Sequence, residues 1–257
     1  MRRLSAQLLS NPLVSVVVSN YNHGQYLGEA IESLARQTHR CIELHLIDDG
    51  STDASRPLIS RLAARFRSRF ARISTHFEEE NVGQLACLNR HLDRVRGELA
   101  VVFDADDVLF PNFLEESIDA LRSLRGQDPS VGFVYPDCEL IDREGRALGV
   151  GRALPWNGEL LERSSYVPGC ALTLTTALRG AAPFDESIRV ATKHHRWCLI
   201  RHAGWEGRHL RRPLFSYRLH AGNNSGIGAR LLPELNGDGT SERVLAEVWP
   251  TAPARVR

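Results

Sequence analysis

Leu99-Ala-Val-Val-Phe-Asp104-Ala-Asp106-Asp107 is an apolar run that stops in three carboxylates, with Pro111 and a helical pattern from Phe113 close behind. Five apolar residues in succession read as a strand buried on both faces, the pattern of a parallel sheet covered by helices. Such a strand delivers its terminal acids to the carboxyl edge of the sheet, where open α/β folds bind ligands. Oxygen-only ligands of this kind suit Mg²⁺ or Mn²⁺, and an ion held there can hold a diphosphate in turn. Standing alone, the motif also reads as a solvated acidic turn.

Two more strands point the same way. Ile42-Glu-Leu-His-Leu-Ile47 ends in Asp48-Asp49-Gly50-Ser51-Thr52-Asp53, a loop leading to a helix N-terminus. Val14-Ser-Val-Val-Val18 runs into Ser19-Asn20-Tyr21-Asn22-His23-Gly24, whose small and amide side chains allow close approach to a ligand. Helical spacing follows at Leu27, Ile31 and Leu34. Strand, helix, strand, helix is the signature of parallel pairing through right-handed crossovers. The expected fold class is therefore α/β, a mostly parallel sheet flanked by helices.

Composition narrows the function classes. The chain has 257 residues, a net charge of +1, 42% hydrophobic and 25% charged residues, as in ordinary globular proteins. No basic tract interleaved with aromatics suggests a nucleic-acid partner. No apolar run approaches the roughly 20 residues of a spanning helix, and Met1-Arg-Arg-Leu4 leads into no signal-peptide core. The expected location is cytoplasmic. Cys41, Cys87, Cys138, Cys170 and Cys198 are odd in number and form no Cys-x-x-Cys pair, so they read as buried thiols.

Along the chain, residues 1–12 read as a lead, 13–135 as an alternating strand and helix half and 136–225 as a smaller second lobe that supplies residues across the cleft from the carboxylates. Residues 226–257 read as a loosely held tail. A helix is expected over 54–70, carrying arginines spread around its surface: a solvated face, or a peripheral contact with anionic lipid at the inner face of a membrane. Strands are expected at 71–77, 131–135 and 171–176, a helix at 113–124, and a hairpin turn at Asp142-Arg-Glu-Gly145.

Several of these stretches together resemble the family 2 inverting glycosyltransferases, which have the nucleotide-diphospho-sugar transferase fold called GT-A. The residues that carry the resemblance are Val14 to Asn22, Tyr26-Leu27, Ala30 to Leu34, Gln37-Thr38, Ile47 to Asp53, Asn81-Val-Gly83, Asp104-Ala-Asp-Asp107 and Phe184-Asp-Glu186. The resemblance covers residues 13–225 and implies a GT-A sheet with a smaller acceptor-side lobe. It also implies transfer of a sugar from a nucleoside diphosphate, UDP above all, to a hydroxyl of a glycan or lipid-linked saccharide. Ser19, Tyr21 and Asn22 would border the nucleotide, and Asp49, or its neighbour Asp48, would accept from the nucleobase imide. Asp104 and Asp106 match the family's Asp-x-Asp element for ribose and metal, and Asp107 is a further candidate ligand. In Tyr217-Arg218-Leu-His220, His220 would reach the metal or diphosphate, or else pack in the core.

One departure stands out. Relatives carry an acidic pair four or five residues before the tryptophan matched by Trp197, and the Asp of that pair takes the acceptor's proton. Here Thr192 and Lys193 stand at those positions. A protonated Lys cannot act as base unless burial lowers its pKa by several units. His194 or His195 would take over that role, or else form an exposed polar turn. Asp185 and Glu186 are the nearest carboxylates and also read as a helix cap with a first-turn acid. The alternative function is a catalytically impaired nucleotide-sugar-binding partner in a glycan assembly complex. A nucleotidyltransferase would need a Gly-rich basic loop after the first strand, which Ser19-Asn20-Tyr21-Asn22 is not.

Overall fold

The computed structural model describes residues 11–220, residue 223 and the backbone of Leu232–Leu235. The chain begins as the apolar patterning predicts. Strand β1 (Val14–Asn20) leads to helix α1 (Gly24–Ala35), β2 (Ile42–Asp48), α2 (Ser55–Arg65), β3 (Arg72–Phe77), α3 (Gln84–His91) and β4 (Leu99–Asp104). β1 lies between β2 and β4, parallel to both, and β3 continues the parallel set beyond β2. Val14, Val16, Val18, Leu99 and Val101 are wholly buried because helices cover both faces of the sheet. α1 seals one side with Leu27, Ala30, Ile31 and Leu34, all wholly buried at helical spacing.

Beyond this set the pairing changes. β5 (Val108–Leu109) and α4 (Phe113–Gln127) lead to the 11-residue β6 (Val131–Ile141), which turns back as β7 (Ala147–Arg152). That turn is the expected one: the Asp142 carboxylate accepts from the backbone N–H groups of Glu144 and Arg146. After α5 (Gly158–Leu161), β8 (Leu172–Leu174) runs antiparallel between β4 and β6. Then come α6 (Thr175–Gly180), α7 (Thr192–His202) and β9 (Glu206–Arg218), which pairs parallel to β6 and antiparallel to β5. β10 (Leu232–Leu235) adds an edge beside β7. The sheet is mixed, with β1 to β4 as its main parallel set. β6 runs unbroken through residue 135, so the two halves meet inside one strand. Residues 1–10 of the lead and most of 226–257 lie outside the described residues.

Some expected boundaries shift for tertiary reasons. The helix expected to reach residue 70 stops at Arg65, because Arg69 turns back and donates to the carbonyls of Ala35, Gln37 and His39 at the end of α1. The strand expected over 171–176 ends at Leu174, since Thr175 bonds Gly97 and Glu98 and opens α6. β6 continues past Tyr135 because β9 supplies a partner along its length, with register shifts at Pro136 and Asp137. All five cysteines are unpaired; Cys87, Cys138 and Cys170 are buried, whereas Cys41 and Cys198 are partly exposed, against expectation. Among the described residues, no helix is long and apolar enough to cross a membrane.

A buried acid within β2 ties the parallel strands together. Glu43, 2% exposed, accepts from Ser15 Oγ at 2.5 Å and the Arg96 N–H at 2.6 Å, with His45 Nε2 at 3.3 Å. Burial alone would raise its pKa, but His45, Ser15 and Arg96 outweigh it and hold the carboxyl at about 2. With the folded pKa below the ordinary value, Glu43 contributes stability above that value and loses it as pH falls toward 2. Glu43→Gln is expected to remove about 2 kcal/mol of the loss in unfolding free energy between pH 7 and pH 3, read from urea titrations. Parallel pH profiles for parent and variant would refute this.

Candidate active site

The parallel register brings the ends of three strands level. Asn20 pairs with Asp48 and Ser19 with Asp104, so the loops after β1, β2 and β4 open on one edge. They border a cleft of about 450 Å³, which Ser19, Tyr21, Asp49, Asp104, Asp106 and Lys193 help to line.

Asp48 and Asp49, equivalent on paper, have separate jobs. Asp48 is wholly buried and accepts from Asn20 Nδ2 (2.9 Å), the Ser51 N–H (3.0 Å) and Arg56 Nε (3.0 Å), which makes it a loop anchor. Asp49 lines the cleft, fixed by the N–H groups of Val82 (2.7 Å) and Gly83 (2.9 Å). Between them and the next loop, Gly50 has φ +72°, and a Cβ there would lie 2.3 Å from the Glu80 backbone. Asn22 does not line the cleft. Its Oδ1 accepts from the N–H groups of Thr52 and Asp53 and clamps the first two loops together.

Carboxylate oxygens of Asp104, Asp106 and Asp107 lie within 4.8 Å of one another, and Asp106 forms a second such group with His23 and His220. The three acids differ in surroundings. Asp104 Oδ1 accepts from Gln84 Nε2 at 2.9 Å, and Gln84 in turn accepts from Thr192 Oγ1 at 2.7 Å. Asp106 Oδ2 lies 3.0 Å from His220 Nε2 and 4.0 Å from His23 Nε2. Burial would raise the Asp106 pKa, but the His220 hydrogen bond and nearby His23 and Lys193 hold it below the ordinary carboxylate value. Asp107 goes the other way: burial, then the charges of Asp106 and Asp104, push it well above. Asp106 is therefore held ionised beside the imidazoles, while Asp107 accepts from the Arg218 N–H at 3.1 Å.

Lys193 enters this cluster, its Nζ ion-paired with Asp104 Oδ2. Burial would lower its pKa, but Asp104, Asp107 and Asp106 more than offset that and hold it above the ordinary value. It is an ammonium at neutral pH. Its helical neighbours are turned away by roughly 100° per residue. His194 lies against Cys198 Sγ at 3.7 Å, and His195 Nε2 accepts the Asp185 N–H at 3.2 Å. Asp185 Oδ1 accepts from Ser187, and Glu186 accepts from Asn89 Nδ2. Of the five candidates for proton transfer, Lys193 alone lines the cleft.

Sequence reasoning missed His23, Gln84, Arg189, Tyr217 and Asn223, all of which border the cleft. Gln84 directly follows Asn81-Val-Gly83 and His23 the Ser19 to Asn22 run, so both were adjacent to recognised motifs. Arg189 and Asn223 carried no local signal.

Residues 15–179 match the sequence profile of glycosyl transferase family 2. The chain belongs to glycosyl transferase family 2. Among its relatives, an uncharacterized glycosyltransferase of Rickettsia typhi is 30% identical over 73% of this chain and 58% of that protein. A chondroitin synthase of Escherichia coli is 29% identical over 86% of this chain and 31% of its own length. The chain thus spans little more than half of the first relative and a third of the second. The GT-A fold is shared with the mannosyltransferase PcManGT of Pyrobaculum calidifontis, solved with GDP-Man and Mn²⁺, at TM-score 0.61 and 20% identity, over 83% of this chain and 59% of that one. S. aureus TarS 1-349 with UDP gives TM-score 0.61 and 18% identity, over 91% of this chain and 70% of that one. This family 2 chain therefore carries its acidic cluster at the carboxyl edge of the parallel strands of a GT-A sheet.

Proposed function

We propose that this chain moves a sugar from a nucleoside diphosphate donor, UDP-linked, to a hydroxyl of a glycan or lipid-linked saccharide, with inversion at the anomeric carbon. The observation that carries the reading is the convergence of Ser19, Asp49, Asp104 and Asp106 from three parallel strand ends on one cleft. Its volume of about 450 Å³ is in the range of sites for small organic ligands. The donor class is supported by the UDP and UDP-GlcNAc complexes of TarS and the GDP-Man complex of PcManGT. An anionic lipid surface, if it carries the acceptor, would meet Arg61, Arg67 and Arg72, which are exposed on and beyond α2.

Asp49 is the acceptor for the nucleobase imide in this reading, and Ser19 and Tyr21 flank the nucleotide. Asp49→Asn is expected to weaken UDP binding about tenfold, the worth of one charged hydrogen bond, with thermal stability retained. Asp48→Asn should do the reverse, because Asp48 anchors the loop. Calorimetric titration with UDP beside a thermal melt separates the two; unchanged UDP affinity in Asp49→Asn would remove Asp49 from the pocket.

A divalent ion of the Mn²⁺ or Mg²⁺ class would be held by Asp106 with His220 and His23, beside Asp104, and the mixed oxygen and nitrogen donors favour Mn²⁺. Bound there, it would neutralise charge gathering on the departing diphosphate. Direct displacement also asks for a base on the acceptor side. The Lys193 ammonium has no lone pair to offer, and His194 and His195 are held elsewhere. Transfer is therefore slow in this reading, and the same observation favours a second one, a donor-binding partner that has lost transfer.

A screen of UDP- and GDP-sugars for hydrolysis and transfer, with Mn²⁺ or Mg²⁺, tests both. Turnover supports the enzyme, binding without turnover the partner, and absence of binding overturns both. The His194→Ala/His195→Ala double variant should stay within about threefold of the parent, whereas a loss of about 10²-fold would restore an imidazole as the base.

A further inference from the structure

We propose that Lys193 is a built-in counter-ion of the donor site: its ammonium, seated on Asp104, faces the diphosphate and lets this chain hold a nucleoside diphosphate without a divalent cation. The inference rests on the donor reading above and concerns the same cleft.

The position of Lys193 is constructed rather than incidental. Its stem runs over Gly169, where an added Cβ would lie 2.5 Å from Lys193 Cδ and 2.6 Å from Cε. Its ammonium lies 6.0 Å from the centre of the Tyr217 ring and pairs with Asp104. An ammonium has three N–H donors. Asp104 is its ion-pair partner, which leaves N–H bonds for a phosphate oxygen to accept. The side chain is 14% exposed, and that exposure is to the cleft it lines.

Charge explains why a cation is needed there. A nucleoside diphosphate brings two to three negative charges toward Asp104 and Asp106, and in a partly desolvated cleft like charges repel strongly. A divalent ion is one remedy. A lysine fixed by the fold is another, because it neutralises Asp104 and still has N–H bonds for phosphate oxygens, as phosphate-binding lysines do. It also opposes a second cation at the same carboxylate: an ion drawn to Asp104 would have to displace Lys193. The other Lys or Arg lining the cleft is Arg189, which donates to Asn81 Oδ1 at 3.4 Å beside Gly83. Lys193 is thus the cation seated on the carboxylates themselves.

The test is calorimetric titration of the full chain with UDP and with GDP at fixed ionic strength, in EDTA and in Mn²⁺. The parent is expected to bind one of them with affinities that differ less than about threefold between the two conditions. Lys193→Met should weaken binding in EDTA by about 10- to 100-fold, the worth of a lost charge-assisted bond, and Mn²⁺ should recover most of it. Gly169→Ala keeps the lysine but crowds its stem, so it should weaken binding in EDTA in the same direction; circular dichroism confirms that each variant is folded. Parent binding that collapses tenfold or more in EDTA overturns the inference and leaves the donor reading intact, as does Lys193→Met binding like the parent in EDTA. Failure of the parent to bind UDP or GDP in either condition overturns the donor reading and the inference with it.

Discussion

Asp106→Asn is expected to lower donor hydrolysis and transfer by about 10²-fold or more while leaving the fold in place. Asp106 is the acid shared by both potential ion-holding groups, with Asp104 and Asp107 on one side and His23 and His220 on the other. Its pKa is held below the ordinary value, so at neutral pH it presents a full negative charge to the imidazoles. An amide of the same shape keeps the packing but removes that charge. Losing one preorganised electrostatic partner at a reacting centre costs about 10²- to 10³-fold in turnover. Release of nucleoside diphosphate from the donor, measured beside a thermal melt, reads the effect. A folded variant within threefold of the parent would place the chemistry elsewhere in the cleft.

The largest effect on stability is expected from Arg218→Met. Arg218 is 1% exposed, and its guanidinium donates to the carbonyls of Asp106 (2.9 Å), Asp142 (3.3 Å) and Arg143 (3.3 Å) and to the Glu29 carboxylate. It also lies 4.9 Å from the centre of the Tyr26 ring. One side chain thus joins the acidic loop, the β6–β7 turn and α1. Methionine keeps much of the volume but strands the buried Asp106 carbonyl, worth about 1 to 3 kcal/mol when unpaired, whereas the Asp142 carbonyl keeps the Gly145 N–H and that of the exposed Arg143 can turn to water. Glu29 is half exposed and can return to water. The net expectation, with the lost charge-assisted bonds and packing added, is a loss of about 2 to 4 kcal/mol in unfolding free energy, read by urea titration. A loss under about 1 kcal/mol would mean that water replaces the guanidinium.

Much of the parallel part of the sheet was legible because its signals are local. The runs Val14 to Val18 and Leu99 to Phe103 are apolar on both faces, and a strand buried on both faces has little other reading. The acidic turns after β2 and β4, the first with Gly50, mark where each strand must stop. The part of the fold beyond β6 was less legible. β9 reads Glu-Gly-Arg-His-Leu-Arg-Arg-Pro over its first eight residues, with no alternation to suggest a strand. It is extended because β6 and β5 offer it backbone partners, and that pairing is invisible to a local pattern.

By itself, the sequence determined that parallel strands would end in carboxylates at one sheet edge, since apolar period and turn chemistry act over a few neighbouring residues. It also placed Lys193 four residues before Trp197, in a stretch from Ser187 to Trp197 that holds no carboxylate. Tertiary structure decided the surroundings of each of those acids. It buried Asp48 as a loop anchor, left Asp49 in the cleft, and set Asp106 against His220, 114 residues further along. It turned Lys193 onto Asp104 and His194 and His195 away from it. The physical reason is that charge and hydrogen bonding depend on distances through space, and packing of β6, β9 and α7 sets those distances between residues far apart in the chain.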